Sequence, residues 1–78
     1  MIHRFPKAVV KRAFDIIPQL RLGDEQIDDP IGAVAAVFYV ASILENAALT
    51  QRDIAEQFEV NEQRIRRAYP RIREVLRI

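Results

Sequence analysis

Apolar residues recur three and four positions apart along most of the chain, and no alternating stretch runs for more than a few residues. That spacing predicts helices and no strands. In the first segment Val9, Val10, Ala13, Phe14 and Ile17 share one face. Pro6 suits a first helical position, and Pro18 is expected to end or kink the helix. The stretch LRLGDEQIDD is then a connection, with Gly23 as a turn candidate and room for one short helical turn over Asp24 to Asp28.

A second helix has a clear start. Asp29 can cap it and Pro30 takes the first position, where a missing N–H costs nothing. From Ile31 to Leu44 the pattern is apolar nearly all round. A helix without a polar face belongs at the centre of a bundle. Gly32, Ala33, Ala35, Ala36 and Ala41 are small enough to let neighbours approach closely. A ligand pocket or partner groove is the alternative for this stripe, but such stripes are usually core.

Thr50 opens a third helix, with Asp53 three residues on, as in a capping box. Its Ile54, Ala55 and Phe58 point one way. Asn61 caps a fourth helix. There Ile65, Ala68, Tyr69, Ile72, Val75 and Leu76 fall on one arc about 120° wide at 100° per residue. The arc continues in register through Pro70, so one long, kinked helix is expected instead of two. The turn between the last two helices, Glu59-Val60-Asn61, places glutamate where a left-handed residue is wanted. That costs roughly 1 kcal/mol relative to glycine.

Composition narrows the picture. Seventy-eight residues, half of them hydrophobic, allow one domain with a small core. There is no cysteine, and His3 is the only histidine, so a zinc or disulfide site is not expected. The longest apolar run, Ala33 to Ala41, is far short of the ~20 residues of a membrane span. No signal-peptide core is visible at the N-terminus, so the chain reads as soluble and unexported. The carboxylates are scattered, with no nucleophile–histidine arrangement and no glycine-rich phosphate loop, so no enzyme and no cofactor are expected.

Net charge is +1, but it is unevenly spread. Residues 1–23 carry five basic side chains against one acidic, residues 24–60 one against eight, and residues 61–78 six against two. Basic ends around an acidic middle point weakly to an anionic partner. Ordinary solvated helix faces account for the same pattern.

The last two helices have the spacing of a helix-turn-helix over residues 50–77. Ala55 is placed for the close crossing, and Ile54, Phe58, Val60 and Ile65 seal the angle. Opposite the apolar arc lie Asn61, Gln63, Arg66, Arg67, Glu74 and Arg77. Arginine can pair with guanine, and asparagine or glutamine with adenine, through two hydrogen bonds each. Thr50, Gln51 and Arg52 stand at a helix start, where phosphates are bound. Lys7, Lys11, Arg12, Arg71 and Arg73 add backbone contacts if they share that side. Equally, the arginines can be the solvated face of an ordinary bundle.

The segment DPIGAVAAVFYVASILENAALTQRDIAEQFEVNEQRIRRAYPRI resembles the cyclin-like repeat of archaeal transcription initiation factor B and eukaryotic factor IIB. The resemblance rests on Pro30, on Tyr39-Ala41-Ser42, on Thr50-Gln51-Asp53-Ile54-Ala55, on Val60, and on Ile65-Arg66-Tyr69. It covers roughly residues 29–76 and is best to the family's last repeat. It implies an all-α, four-to-five-helix cyclin-like bundle, residues 1–78, ending in a helix-turn-helix that reads promoter DNA. It implies Gln51, Gln63, Arg64, Arg66 and Arg67 as DNA contacts, and double-stranded promoter DNA as partner. TATA-binding protein or other basal transcription proteins are further implied partners. The implied location is cytoplasmic and nucleoid-associated for an archaeal protein, nuclear for a eukaryotic one. Pro70 and Glu59 depart from the family's pattern. A full repeat has five helices where this chain has room for about four, and the zinc ribbon and the second repeat are absent from the sequence. A shortened repeat can expose apolar surface, so a weak homodimer is expected. The alternative function is a protein-interaction module of the transcription machinery that does not bind DNA directly.

Overall fold

The computed structural model describes residues 5–21 and 27–77. Among them are four helices, α1 (Lys7–Leu20), α2 (Pro30–Leu44), α3 (Gln51–Phe58) and α4 (Glu62–Leu76), and no strand. Helix α2 touches all three others, most extensively α4, then α1, then α3. Its all-round apolar surface is the reason: Ala35, Ala36, Val37, Phe38, Val40 and Ala41 are all buried. Ser42 is buried too, and its hydroxyl donates to the Tyr39 carbonyl at 2.6 Å, which keeps it paired inside the bundle.

Phe38 forms the middle of an aromatic cluster. Its ring centroid lies 4.9 Å from Phe5, 5.2 Å from Phe58 and, edge-on, 6.5 Å from Phe14. The cluster ties the entry to α1 and the end of α3 to α2. Ile54, Ile65 and Ile72 complete the core from α3 and α4.

The helix starts are set locally. The Asp29 carboxylate accepts from the Gly32 N–H at 3.1 Å. Thr50 and Asp53 form a reciprocal capping box, with bonds of 3.0 and 2.9 Å. Asn61 accepts from the Arg64 N–H at 3.0 Å. Each satisfies orphan donors of a first turn.

Helix α1 departs from the sequence pattern in three ways. Pro6 stands one position outside the helix, as its N-cap residue, and its carbonyl accepts from Val9 and Val10. The buried stripe is Val9, Ala13, Ile16 and Leu20; Val10 and Ile17 are half-buried, and Phe14 is 56% exposed. Spacings of four, three and four phase this stripe better than the predicted face. Pro18 does not end the helix, which continues to Leu20. Pro18 is exposed and near the C-terminus, so the crowding and the missing hydrogen bond fall on the solvent side.

Pro70 likewise lies exposed inside a continuous α4, whose predicted arc packs inward. Residues 24–26 of the expected short turn lie outside the described residues, and Ile27 and Asp28 are not helical.

Candidate nucleic-acid interface

Helices α3 and α4 are joined by three residues. Glu59 takes a left-handed conformation, φ 56° and ψ 42°, as the turn requires. The Val60 N–H then donates back to Ala55 at 3.0 Å. Val60 and Phe58 pack against the core, so the angle between the helices is sealed by the residues the sequence assigns to it.

Two groups of predicted residues come together on α4. On its outward side, Arg66 Nη1 donates to Gln51 Oε1 at 3.4 Å, which links the start of α3 to the first half of α4. Arg66 also lies 3.7 Å from Glu62. Gln63 and Arg67 are exposed nearby in sequence. Arg52 is exposed and pairs with Glu56 at 3.4 Å. Thr50 and Asn61 are exposed, but their side-chain oxygens hold the helix caps.

The second group lies where α4 crosses the start of α2. Arg64 grips Asp29 with two hydrogen bonds, Nη2 to Oδ1 at 2.6 Å and Nε to Oδ2 at 2.8 Å. Both side chains are about one-third exposed, at 35% and 31%. Fork-to-fork pairing of this kind is the strong form of an ion pair. The same carboxylate caps α2 through Gly32, so one side chain orders both helices. The Arg64 bond, the Gly32 N–H and the charges of Arg64 and Arg67 outweigh partial burial. They lower the Asp29 pKa from 3.8 to about 2. The Asp29 bond pushes the Arg64 guanidinium upward in turn.

Gly32 leaves room for the folded-back Asp29 carboxylate: a Cβ there would meet that carboxylate, which would have to leave its place between the α2 cap and Arg64. Arg64, Arg67 and Arg71 line a cleft beside it, with Ile27, Asp28, Asp29, Ala33, Ala68 and Ile72.

Lys11 and Arg12 of α1 lie instead beside the end of α2. Arg12 pairs with Glu45 at the end of α2, at 2.6 Å, and Lys11 lines the surface dip beside that pair with Ala8 and Asp15. Arg73 stacks on the Tyr69 ring at 5.7 Å, and Tyr69 meets Tyr39 edge-on at 5.7 Å. From the sequence Asp29 is expected as a cap and as part of an acidic surface, not as the partner of Arg64. The 35-residue separation from Arg64 leaves no local signal.

No described helix is long and apolar enough to cross a membrane, and no described cluster of His, Cys, Asp or Glu could hold a metal.

The transcription factor TFIIB repeat matches residues 3–75. The chain belongs to the TFIIB repeat family. Transcription initiation factor IIB of Pyrococcus furiosus is 38% identical over 71 residues, which are 90% of this chain and 24% of that relative. The namesake from Methanopyrus kandleri is 49% identical over 49 residues, 63% of this chain and 16% of its own length. That from Saccharolobus shibatae is 36% identical over 72 residues, 91% of this chain and 24% of its own. The chain thus spans about a quarter of the length of these relatives. The all-α bundle agrees with the fold that the resemblance implies.

Proposed function

We propose that this TFIIB repeat is a DNA-contacting module of a factor B-type transcription initiation protein. Residues 50–77 act as its helix-turn-helix, with α4 lying in the major groove. The observation that carries this is the Gln51–Arg66 hydrogen bond across the two helices. It ties an exposed arginine to the start of α3, where base edges can be read. Gln51, Gln63, Arg66 and Arg67 supply the reading groups. Thr50, Arg52 and Asn61 serve at the helix starts, where the first-turn N–H groups that the caps leave free meet phosphate. Arg64 serves indirectly, by fixing α4 against α2 through Asp29. Arg71 lies further along α4, beside the cleft.

Contacts with TATA-binding protein or other basal proteins belong to the same proposal. A weak homodimer would draw on the exposed Phe14, Ile31, Ile43 and Leu44, and sedimentation equilibrium checks it. The proposal for DNA is tested by measuring duplex affinity at stepped salt concentrations. Log affinity should fall linearly with log salt, with a slope of about −0.9 per phosphate contacted. Absence of binding at low salt would end the proposal.

A further inference from the structure

Arg66 is held by one nitrogen. Its Nη1 donates to Gln51 Oε1 at 3.4 Å and lies 3.7 Å from Glu62 Oε1, so both acceptors gather at the same atom. Nε and Nη2 have no partner among the described residues, and the side chain is 59% exposed. Those two nitrogens form one edge of the guanidinium plane. Arg64 gives the same edge to Asp29, with bonds of 2.8 and 2.6 Å to two oxygens side by side. The two-donor edge that is filled on Arg64 is therefore open on Arg66.

Glu62 opens α4, but Asn61 provides the cap. A carboxylate at the start of a reading helix works against general attraction to DNA, because it repels phosphate. Beside Arg66 it has two effects. With Gln51 it shares the hold on Nη1, which narrows the orientations of a long, exposed side chain. It also sets a negative charge beside the guanidinium, which makes a phosphate a poorer occupant of the open edge than a neutral base. In a major groove guanine alone offers two acceptors side by side, O6 and N7. Adenine and cytosine place an amino donor there, and thymine one acceptor beside a methyl group.

We propose that Glu62 is a positioning residue for base reading: with Gln51 it holds Arg66 by Nη1, so that the Nε–Nη2 edge of Arg66 meets O6 and N7 of a guanine. Glu62 also disfavours phosphate at that point, and so lowers general affinity while it raises selectivity. The inference rests on α4 lying in the major groove, and it adds the base that is read and the residue that selects it.

The probe is a pool of short DNA duplexes with a randomised centre, bound to the full chain at low salt, with the bound fraction sequenced. Arg66→Ala identifies the position that Arg66 reads, as the one whose preference it flattens. In the wild type that position should carry guanine at least about fivefold over any other base. Replacing that guanine with 7-deazaguanine, which lacks the N7 acceptor, should weaken the enriched duplex about fivefold. Glu62→Ala should reduce the guanine preference to about twofold or less, and should bind the unselected pool more tightly than the wild type. Glu62→Gln keeps an acceptor oxygen without the charge, so it should also bind the pool more tightly and yet retain most of the guanine preference. Circular dichroism verifies folding, and Glu62→Ser carries the test if Glu62→Ala does not fold. The inference is overturned if the Arg66 position carries another base, if 7-deazaguanine binds as guanine does, or if Glu62→Ala keeps the wild-type preference. Salt-dependent binding without a preferred base overturns it and leaves the DNA-contacting proposal standing, whereas no binding at low salt ends both.

Discussion

Arg64 and Arg66 are two residues apart on one helix and live in different circumstances. Arg64 turns inward to the α2–α4 crossing, where both ends of its guanidinium fork are taken by Asp29. Arg66 points outward, tethered by one long hydrogen bond to Gln51 and a loose approach to Glu62. An inward arginine with an optimal partner fixes geometry. An outward arginine with exchangeable partners can be given over to a ligand. A count of arginines on α4 therefore overstates its reading surface, and the crossing behind it keeps that surface in place.

The sharpest way to break the crossing is Gly32→Val. Helix propensity favours valine over glycine, but its Cβ takes the place of the Asp29 carboxylate, which must leave both the cap and Arg64. Overpacking together with loss of the cap should cost about 2–3 kcal/mol in urea unfolding. A small core has little more than that to lose. Duplex binding should fall with the folded fraction.

Arg66→Ala should leave the melting temperature nearly unchanged, because exposed pairs contribute little. It should weaken a preferred DNA site by about 1–3 kcal/mol, and random duplex far less. Equal loss on both would make Arg66 a phosphate contact.

Asp29→Asn sharpens the comparison through pH. Asparagine caps as well as aspartate but cannot pair with Arg64 as an anion. The Asp29 carboxyl is lowered to about 2 in the folded chain against 3.8. Its stabilisation is therefore complete above the unfolded value and is lost as pH falls through the folded one. The wild type should lose stability between about pH 4 and pH 2 more steeply than the variant, as acid titration followed by circular dichroism would record.

The smallest effect has the opposite sign. Glu59→Gly relieves a left-handed glutamate and should stabilise the chain by about 1 kcal/mol. The turn, and with it the placement of Arg66, should stay as it is. A destabilised Glu59→Gly variant would mean that the glutamate side chain supports the turn.

What was legible in the sequence follows from range. Asp29, Thr50 and Asn61 were recognisable as caps because a cap and its target lie within three residues of each other. The centrality of α2 was readable because its surface lacks a polar face. Gly32 was recognisable as a site of close approach, though not what approaches it. The face of α1 was mis-phased because Phe14 is large and apolar, while Ile16 and Leu20 set the buried stripe. Phe14 still meets Phe38 with its ring edge, so its exposure is partial. Pro18 does not terminate α1, since a proline on a solvent side near a helix end is tolerated. The Asp29–Arg64 pair was out of reach, because nothing local joins positions 35 apart. So the sequence pointed to both arginines, and only the fold separated the inward one from the outward.

The most direct test of that separation puts Arg64→Ala and Arg66→Ala side by side, each measured for thermal unfolding and for binding to duplex DNA at low salt. The account predicts that Arg64→Ala lowers the melting temperature and weakens DNA through loss of α4 placement. Arg66→Ala should leave the melting temperature alone and weaken DNA at constant fold. The reverse pattern, a stable Arg64→Ala with lost DNA binding and an Arg66→Ala that binds as the parent does, would contradict it.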